Sequence, residues 1–273
     1  MQRALVGSFV MCLGAVPVGI FMTLRRMSLT GDAMAHAILP GAAIAYLLSG
    51  LSLVALTVGG VLAGILVAVL AGWVARNTHL KEDSSFAAFY LLSLAFGVLV
   101  ISVKQSNVDL FHVLFGNILA LDSTMLWLLV SISCISLFTM AVLFRPLVIE
   151  CVDPSFLIRS GQASPLAHFG FLFLMVINLV AGFHALGTLL AIGIMILPAI
   201  TARFWVKELD AILVTALFIS HLGCYIGLLL SFYFDLPSGP SVIMSLGLAY
   251  MVSLLLGSNG GLLSHYSTNH LTG

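Results

Sequence analysis

An aspartate and a histidine four positions apart stand out in this sequence, because their side chains could share a metal ion. Asp32 and His36 lie in LRRMSLTGDAMAHAILPG, residues 24–41, which joins two long apolar stretches. If this segment is helical, positions i and i+4 lie one above the other on one face. A carboxylate and an imidazole on one face can bind a divalent transition metal. The spacing therefore predicts a metal site.

Two further histidines lie inside apolar stretches, where an ionisable side chain is costly and suggests a function. His221 is near the middle of the stretch 210–233, and His184 is near the end of the stretch 166–186. Both are candidate ligands on a metal path. The alternatives are a neutral His221 that hydrogen-bonds a neighbouring helix and a His184 that faces lipid headgroups.

A second Asp and His pair lies in the polar connection 104–123. Asp109 and His112 are three positions apart, so a helical turn would place them on one face. They could line an outer vestibule that attracts cations, or they could be a solvated pair or a pair that caps a helix. The first interpretation makes them weak metal candidates.

Pro198 and Gly187 are the candidate hinge positions. Pro198 lies inside an apolar stretch, where it removes one backbone donor and clashes with the carbonyl four residues earlier. In transporters a broken helix lines the path or acts as a hinge, whereas in a static bundle such a proline is a tolerated kink. Gly187 begins the same stretch and belongs to a small face that permits close helix packing.

The connection 145–165 contains the signals of a short helix. Asp153 suits the N-cap, Pro154 the first helical position and Gly161 the end, with Arg159 between them. A short capped helix in a cytoplasmic loop could dock a soluble partner. A plain connector would carry the same signals.

The elements that must position these residues are membrane helices. Of 273 residues, 61% are hydrophobic and 7% are charged, and the mean hydropathy is +1.20. Soluble domains carry about 25% charged residues. The composition predicts an integral protein of the lipid bilayer, and it excludes a soluble globular fold and nucleic-acid binding.

Nine apolar stretches approach the roughly 20 residues that a helix needs to cross a bilayer. They are 4–24, 33–50, 52–74, 85–103, 124–144, 166–186, 187–206, 210–233 and 239–257. The second and the seventh each contain a proline, so eight spans is the alternative. We expect one transmembrane domain, residues 1–257, and a polar cytoplasmic tail, residues 258–273.

The basic residues favour nine spans. With alternating sides, eight of the ten Lys and Arg residues fall on one side, which the positive-inside rule makes cytoplasmic. Those eight are Arg25, Arg26, Arg76, Lys81, Arg145, Arg159, Arg203 and Lys207, and the other two are Arg3 and Lys104. The N-terminus is then outside and the C-terminus is cytoplasmic. Asp32 and His36 fall in the inner half of the membrane.

Three stretches together resemble the permease subunits of bacterial ABC importers for zinc, manganese or iron. They are residues 24–33 with His36, Pro40 and Gly41, residues 187–190 with 196–199 and 201–203, and residues 231–235 with 237–239. The order and spacing match over almost the whole chain. The resemblance assigns Asp32 and His36 to the metal path. His184 stands where glutamine is common in the family, and His221 matches no family motif, so both could add ligands that favour zinc or could be packing residues.

The resemblance implies an all-α fold like the cobalamin and siderophore importer permeases without their first helix. It also implies the partners. Two copies, or this chain and a close relative, would form the pore, a cytoplasmic ABC ATPase dimer would dock on the helix around 153–161, and an extracytoplasmic protein would deliver the metal. The location would be the bacterial inner membrane, and Zn²⁺ or Mn²⁺ would be transported rather than kept as a cofactor.

The sequence thus predicts a non-enzymatic permease that moves a divalent transition metal inward by alternating access, with zinc preferred and manganese or iron next. It has no Walker A loop, so ATP hydrolysis is expected in a separate chain. A stand-alone secondary transporter that uses Asp32 as a proton site is one alternative. An intramembrane metalloenzyme is weaker, because His-Glu-x-x-His is missing and no glutamate is expected inside a span.

Overall fold

The structure, a computed structural model, describes residues 2–50, 52–79, 81–103, 121–152 and 164–263. All regular secondary structure in these ranges is helical. The helices are α1 (Gln2–Leu24), α2 (Ser28–Ala37), α3 (Leu39–Ser49), α4 (Leu53–Asn77), α5 (Glu82–Val103), α6 (Ser123–Val152), α7 (Ser164–Leu186), α8 (Thr188–Ala202), α9 (Leu209–Phe234) and α10 (Ser238–Leu256). An all-α polytopic fold is confirmed.

Each of the nine predicted stretches is helical, but eight of them, within the described ranges, are long and apolar enough to cross a membrane. The pair α2 and α3 counts as one of these eight. The remaining helix, α8, has 15 residues and is about 22 Å long at 1.5 Å per residue. That is shorter than a hydrocarbon core of about 30 Å.

The second predicted stretch differs from the expected single helix over 33–50. It begins earlier, at Ser28, and is divided into α2 and α3 at Ile38. Pro40 explains the division, because it has no N–H to donate to the carbonyl of His36 and its ring crowds that carbonyl. Asp32 and His36 therefore lie within α2, before the break.

The predicted start of the loop 145–165, at residue 145, is also wrong. Helix α6 continues through Pro146 and ends at Val152, so Glu150 lies in a helix that spans the membrane by length. Helix α5 similarly begins at Glu82. The expectation of no glutamate inside a span is corrected at these two positions, both at helix ends where they find partners.

Helix α1 lies at the centre of the bundle and packs against α6, α8 and α9. Gly19 permits its closest approach, because a Cβ at that position would overlap the carbonyl of Met195 in α8. A polar contact joins α1 to α6 and α7, since Asn178 Nδ2 donates to Ser136 Oγ at 2.8 Å and Ser136 Oγ donates to the Gly14 carbonyl at 3.2 Å. The central helix is thus fixed on three sides.

Helix α8 folds back along α7 through a one-residue turn. Gly187 has φ 89° and ψ 156°, a conformation that is almost confined to glycine. At the far end of α8, Trp205 Nε1 donates to Ser253 Oγ of α10 at 2.8 Å, and Asn259 Nδ2 donates to the Trp205 carbonyl at 2.7 Å. Both contacts place the end of α10 beside the basic turn 203–207, which agrees with the predicted common side.

Candidate metal path

Helix α2 presents Asp32 and His36 on its exposed face. The other face of this helix is buried and consists mostly of small and apolar residues: Thr30, Gly31, Ala33, Met34, Ala35 and Ala37. Asp32 Oδ1 lies 3.8 Å from His36 Nε2, and the side chains are 66% and 35% exposed. The predicted one-face arrangement is therefore present. Two polar groups stand exposed on the surface of an apolar chain.

Contacts with α5 give the depth of the pair. Thr30 Oγ1 donates to Asp83 Oδ1 at 3.1 Å, and the rings of His36 and Tyr90 lie 6.4 Å apart. Helices α2 and α5 thus run side by side in the same direction. Tyr90 follows the first residue of α5, Glu82, by eight positions, or about 12 Å. His36 is therefore well inside the span, in the half that the charges predict to be cytoplasmic.

The pair can hold a metal ion loosely. Bonds of about 2.1 Å at a tetrahedral angle would separate two ligand atoms by about 3.4 Å, close to the observed 3.8 Å. In the part of the chain that the structure describes, no three His, Cys, Asp or Glu residues gather as a metal site. Two ligands from one chain leave the coordination incomplete, so water or another chain must supply the rest.

His184 lies near the end of α7 and is bound to its own helix. Its Nδ1 donates to the Val180 carbonyl at 2.9 Å, so in the neutral ring Nε2 keeps its lone pair. That Nε2 is buried and has no hydrogen-bond partner among the described residues. The nitrogen is in the form that binds a metal, but the structure does not bring it into a cluster with Asp32 and His36.

His221 packs on α1 in the middle of α9. Its Nδ1 donates to the Leu217 carbonyl at 2.6 Å, and its ring meets the Phe9 ring edge to face at 4.4 Å. The hydrogen bond is to its own helix and not to a neighbouring one. Like His184, it keeps an unprotonated Nε2 when neutral and joins no three-ligand group of described residues.

The other predicted positions have mixed outcomes. Asp109 and His112 lie outside the described residues. The same holds for the predicted docking positions, which are Asp153, Pro154, Arg159 and Gly161. Pro198 is buried inside α8, but Pro17 and Pro146 also lie inside helices. A proline interruption therefore does not by itself distinguish the hinge position.

A partly buried group of ionisable side chains near the helix ends was not predicted. We call Arg25, Arg76, Glu82, Glu150 and His168 the charge cluster. Arg25 and Glu150 form an ion pair in which each side chain is 8% exposed. Arg76 Nη2 lies 3.7 Å from Glu150 Oε1, and His168 Nδ1 lies 3.6 Å from Glu82 Oε1 and 4.0 Å from Glu150 Oε1. Each charge stands at the edge of an apolar stretch, but nothing local in the sequence indicates which ones meet.

Residues 1–257 match the model of the ABC 3 transport family. The chain belongs to the ABC 3 transport family. The resemblance to permeases of metal ABC importers is thereby confirmed, and this ABC 3 permease is a multi-pass protein of the bacterial inner membrane.

Relatives of this ABC 3 permease extend over most of its length. The manganese import system permease protein ScaB of Streptococcus gordonii is 29% identical over 256 residues, which cover 94% of this chain and 91% of the relative. The chelated iron transport system membrane protein YfeD of Yersinia pestis is 31% identical over 255 residues, 93% of this chain and 84% of the relative. The solved structure of PsaBC from Streptococcus pneumoniae in complex with Fab has a TM-score of 0.83 at 28% identity, covering 97% of this chain and 94% of that one.

Proposed function

We propose that this chain is the membrane-spanning subunit of an ABC importer for a divalent transition metal. One observation carries the proposal, the exposed Asp32 and His36 pair on α2 inside a predicted span. A charged side chain that faces lipid is costly, so charged residues in spans line water-filled cavities or protein interfaces. The exposed face of α2 is therefore a wall of the metal path.

Manganese is the preferred cargo in this proposal, followed by iron. Carboxylate oxygen with imidazole nitrogen, and no thiolate, suits manganese, iron and zinc alike. The names of ScaB and YfeD refer to manganese and chelated iron. The zinc preference expected from His184 and His221 gains no support from these names, and neither histidine lies in a cluster with the α2 pair. Zinc remains the competitor to test.

The mechanism is alternating access with weak metal contacts. Outside the membrane, a binding protein delivers the ion, and Asp109, His112 and His184 are candidate contacts along the outer half. Asp32 and His36 then hold the ion deeper in the span. A two-ligand site binds weakly, which permits release. A separate ATPase dimer, docked around residues 153–161, drives the change of access, and Gly187 and Pro198 are the candidate hinges.

The test is manganese uptake by proteoliposomes that contain the permease, its ATPase and the binding protein. Asp32→Asn and His36→Gln each abolish uptake while the amount of assembled complex stays unchanged. Asp210→Asn is the matched control, because Asp210 is an exposed aspartate in the first turn of α9. Full uptake by the double variant at α2 would remove the pair from the path.

The same vesicles decide between the proposal and a secondary transporter. Without the ATPase, or with ATP replaced by a non-hydrolysable analogue, we expect no accumulation of manganese. Accumulation driven by a proton gradient alone would favour the stand-alone transporter. The metalloenzyme alternative needs three protein ligands around one ion, and the described residues provide no such group.

A further inference from the structure

We propose that the buried ion pair between Arg25 and Glu150 links the cytoplasmic end of α6 to the helix that carries Asp32 and His36. In this proposal both residues are positioning residues for import. They transmit a displacement of α6 to α2 without contacting the metal. The inference rests on the proposed function, because the end of α6 leads directly in sequence to the candidate ATPase docking positions.

One end of the link is the short turn before α2. Arg25 follows the last residue of α1, and Ser28 begins α2. The turn is tight, since the Met27 N–H donates to the Met22 carbonyl at 2.9 Å and Arg26 has φ 60°. A displacement of Arg25 therefore displaces the start of α2, and Asp32 lies just over one helical turn beyond it.

The other end of the link is the last turn of α6. Glu150 lies two residues before the helix ends at Val152. Pro146, four residues before Glu150, cannot donate to the carbonyl of Val142, so the end of α6 is less firmly bound to the rest of its helix. In the proposal, this end of α6 tilts and carries Glu150 with it.

Burial makes the link stiff. Each partner is 8% exposed, and Coulomb attraction strengthens as the surrounding dielectric falls. Separating the pair would take Arg25 from its carboxylate partner in a poorly solvated site and leave Glu150 facing Arg76 at 3.7 Å, which is unfavourable. The Arg25 guanidinium also lies over the Phe171 ring at 4.7 Å, which fixes its direction. When α6 tilts, movement of Arg25 together with Glu150 therefore costs less free energy than separation of the two side chains.

The rest of the charge cluster extends the link to α5. His168 Nδ1 lies between Glu150 Oε1 and Glu82 Oε1, at 4.0 and 3.6 Å. The next residue of α5, Asp83, accepts the hydrogen bond from Thr30 of α2. The first turn of α2 is therefore held from α6 through Arg25 and from α5 through Thr30. The first hold ends on the Glu150 carboxylate, and the second ends on Asp83, next to Glu82.

The functional test measures manganese uptake per ATP hydrolysed by the reconstituted complex. Arg25→Gln and Glu150→Gln should leave ATPase activity per assembled complex near the wild-type value and lower uptake per ATP by about tenfold, within the range for residues that couple two sites. Arg25→Lys should recover part of the loss, because it keeps the charge. If uptake and ATPase activity fall in parallel with the amount of complex, the pair is structural and the proposal is overturned.

Arg76→Gln is the matched control. It removes a positive charge that also faces Glu150, but from α4, which does not lead into α2. We expect Arg76→Gln to keep manganese uptake per ATP hydrolysed close to the wild-type value. If Arg76→Gln lowers uptake per ATP as strongly as Arg25→Gln, the proposal of a specific link through Arg25 is overturned. If the wild-type complex itself moves no divalent metal, the proposed function fails. If the wild-type complex transports metal but Arg25→Gln and Glu150→Gln do not lower uptake per ATP, only the link between α6 and α2 fails.

A distance measurement tests the movement directly. Leu29 of α2 and Val152 of α6 are 78% and 80% exposed, so spin labels can be attached there after the native cysteines are replaced. With an intact ion pair, the distance between the labels should be the same with and without ATP, while each label moves relative to α10. In Glu150→Gln the distance should change with nucleotide. An unchanged distance in that variant would overturn the proposal.

Discussion

Two carboxylates on this chain have opposite environments. Asp32 is 66% exposed beside one histidine, whereas Glu150 is 8% exposed and faces two arginines. An exposed carboxylate inside a span is available to a cation, whereas a buried and paired one holds helices together. In the proposed function, the same chemical group therefore serves metal passage at one position and holds the end of α6 to the start of α2 at the other.

Asp32→Asn should separate these roles. Because the side chain is largely exposed, the substitution should change stability by less than about 0.5 kcal/mol. Uptake should be lost, because an amide is a weak metal ligand. Thermal unfolding in detergent and manganese uptake, measured on the same preparation, check both parts. A large loss of stability would instead assign Asp32 to the fold.

Glu150→Gln should behave in the opposite way. Removing one partner of a buried ion pair costs about 3–5 kcal/mol, so the variant should unfold at a clearly lower temperature. The double variant with Arg25→Gln should lose less free energy of unfolding than the two single variants lose together, and the difference should be about 1–3 kcal/mol. Arg26→Gln, at the adjacent exposed arginine, is the control and should have little effect. Additive losses would mean that Arg25 and Glu150 do not interact.

At the scale of helices, the sequence predicted most of the fold, because membrane helices follow from local hydropathy. It predicted that Asp32 and His36 share one face of a helix, because their spacing is local to that helix. It missed the break at Ile38, for which Pro40 gives a local reason, and it missed the extension of α6 to Val152, because the charged end of that helix finds its partners on distant segments. The Arg25 and Glu150 pair was beyond reach for the same reason, as its partners are 125 positions apart and meet through packing.

The turn at Gly187 gives a prediction at this scale. With φ 89° and ψ 156°, an alanine there would cost about 1–3 kcal/mol, and α8 would no longer fold back closely along α7. Gly187→Ala should lower both thermal stability and uptake. Gly247→Ala is the control, because a Cβ there meets nothing within 4 Å and alanine favours a helix interior by about 0.5–1 kcal/mol. Equal effects of the two variants would exclude a special role for the turn.

On the scale of the whole molecule, a single chain leaves its metal pair incomplete. Asp32 and His36 supply two ligands, and no third His, Cys, Asp or Glu of the described residues joins them. The exposed side of α2 carries Asp32 and His36 beside the apolar Leu29, in a chain whose surface is otherwise largely apolar. Two copies that meet across this face would cover the polar groups and bring four ligands together. If the predicted pore of two permeases forms across this face, it would also complete a coordination shell.

This arrangement predicts one metal ion for every two chains. Four ligands from two copies suit one ion, and removal of two of them by Asp32→Asn with His36→Gln in one copy should weaken binding sharply. Manganese bound to the purified complex, counted by electron paramagnetic resonance, gives the ratio directly. A tandem fusion of two permeases with the double substitution in one half should lose most uptake, and the unmodified fusion is its control. One ion per chain, or half of the normal uptake from the mixed fusion, would mean that each copy binds metal alone.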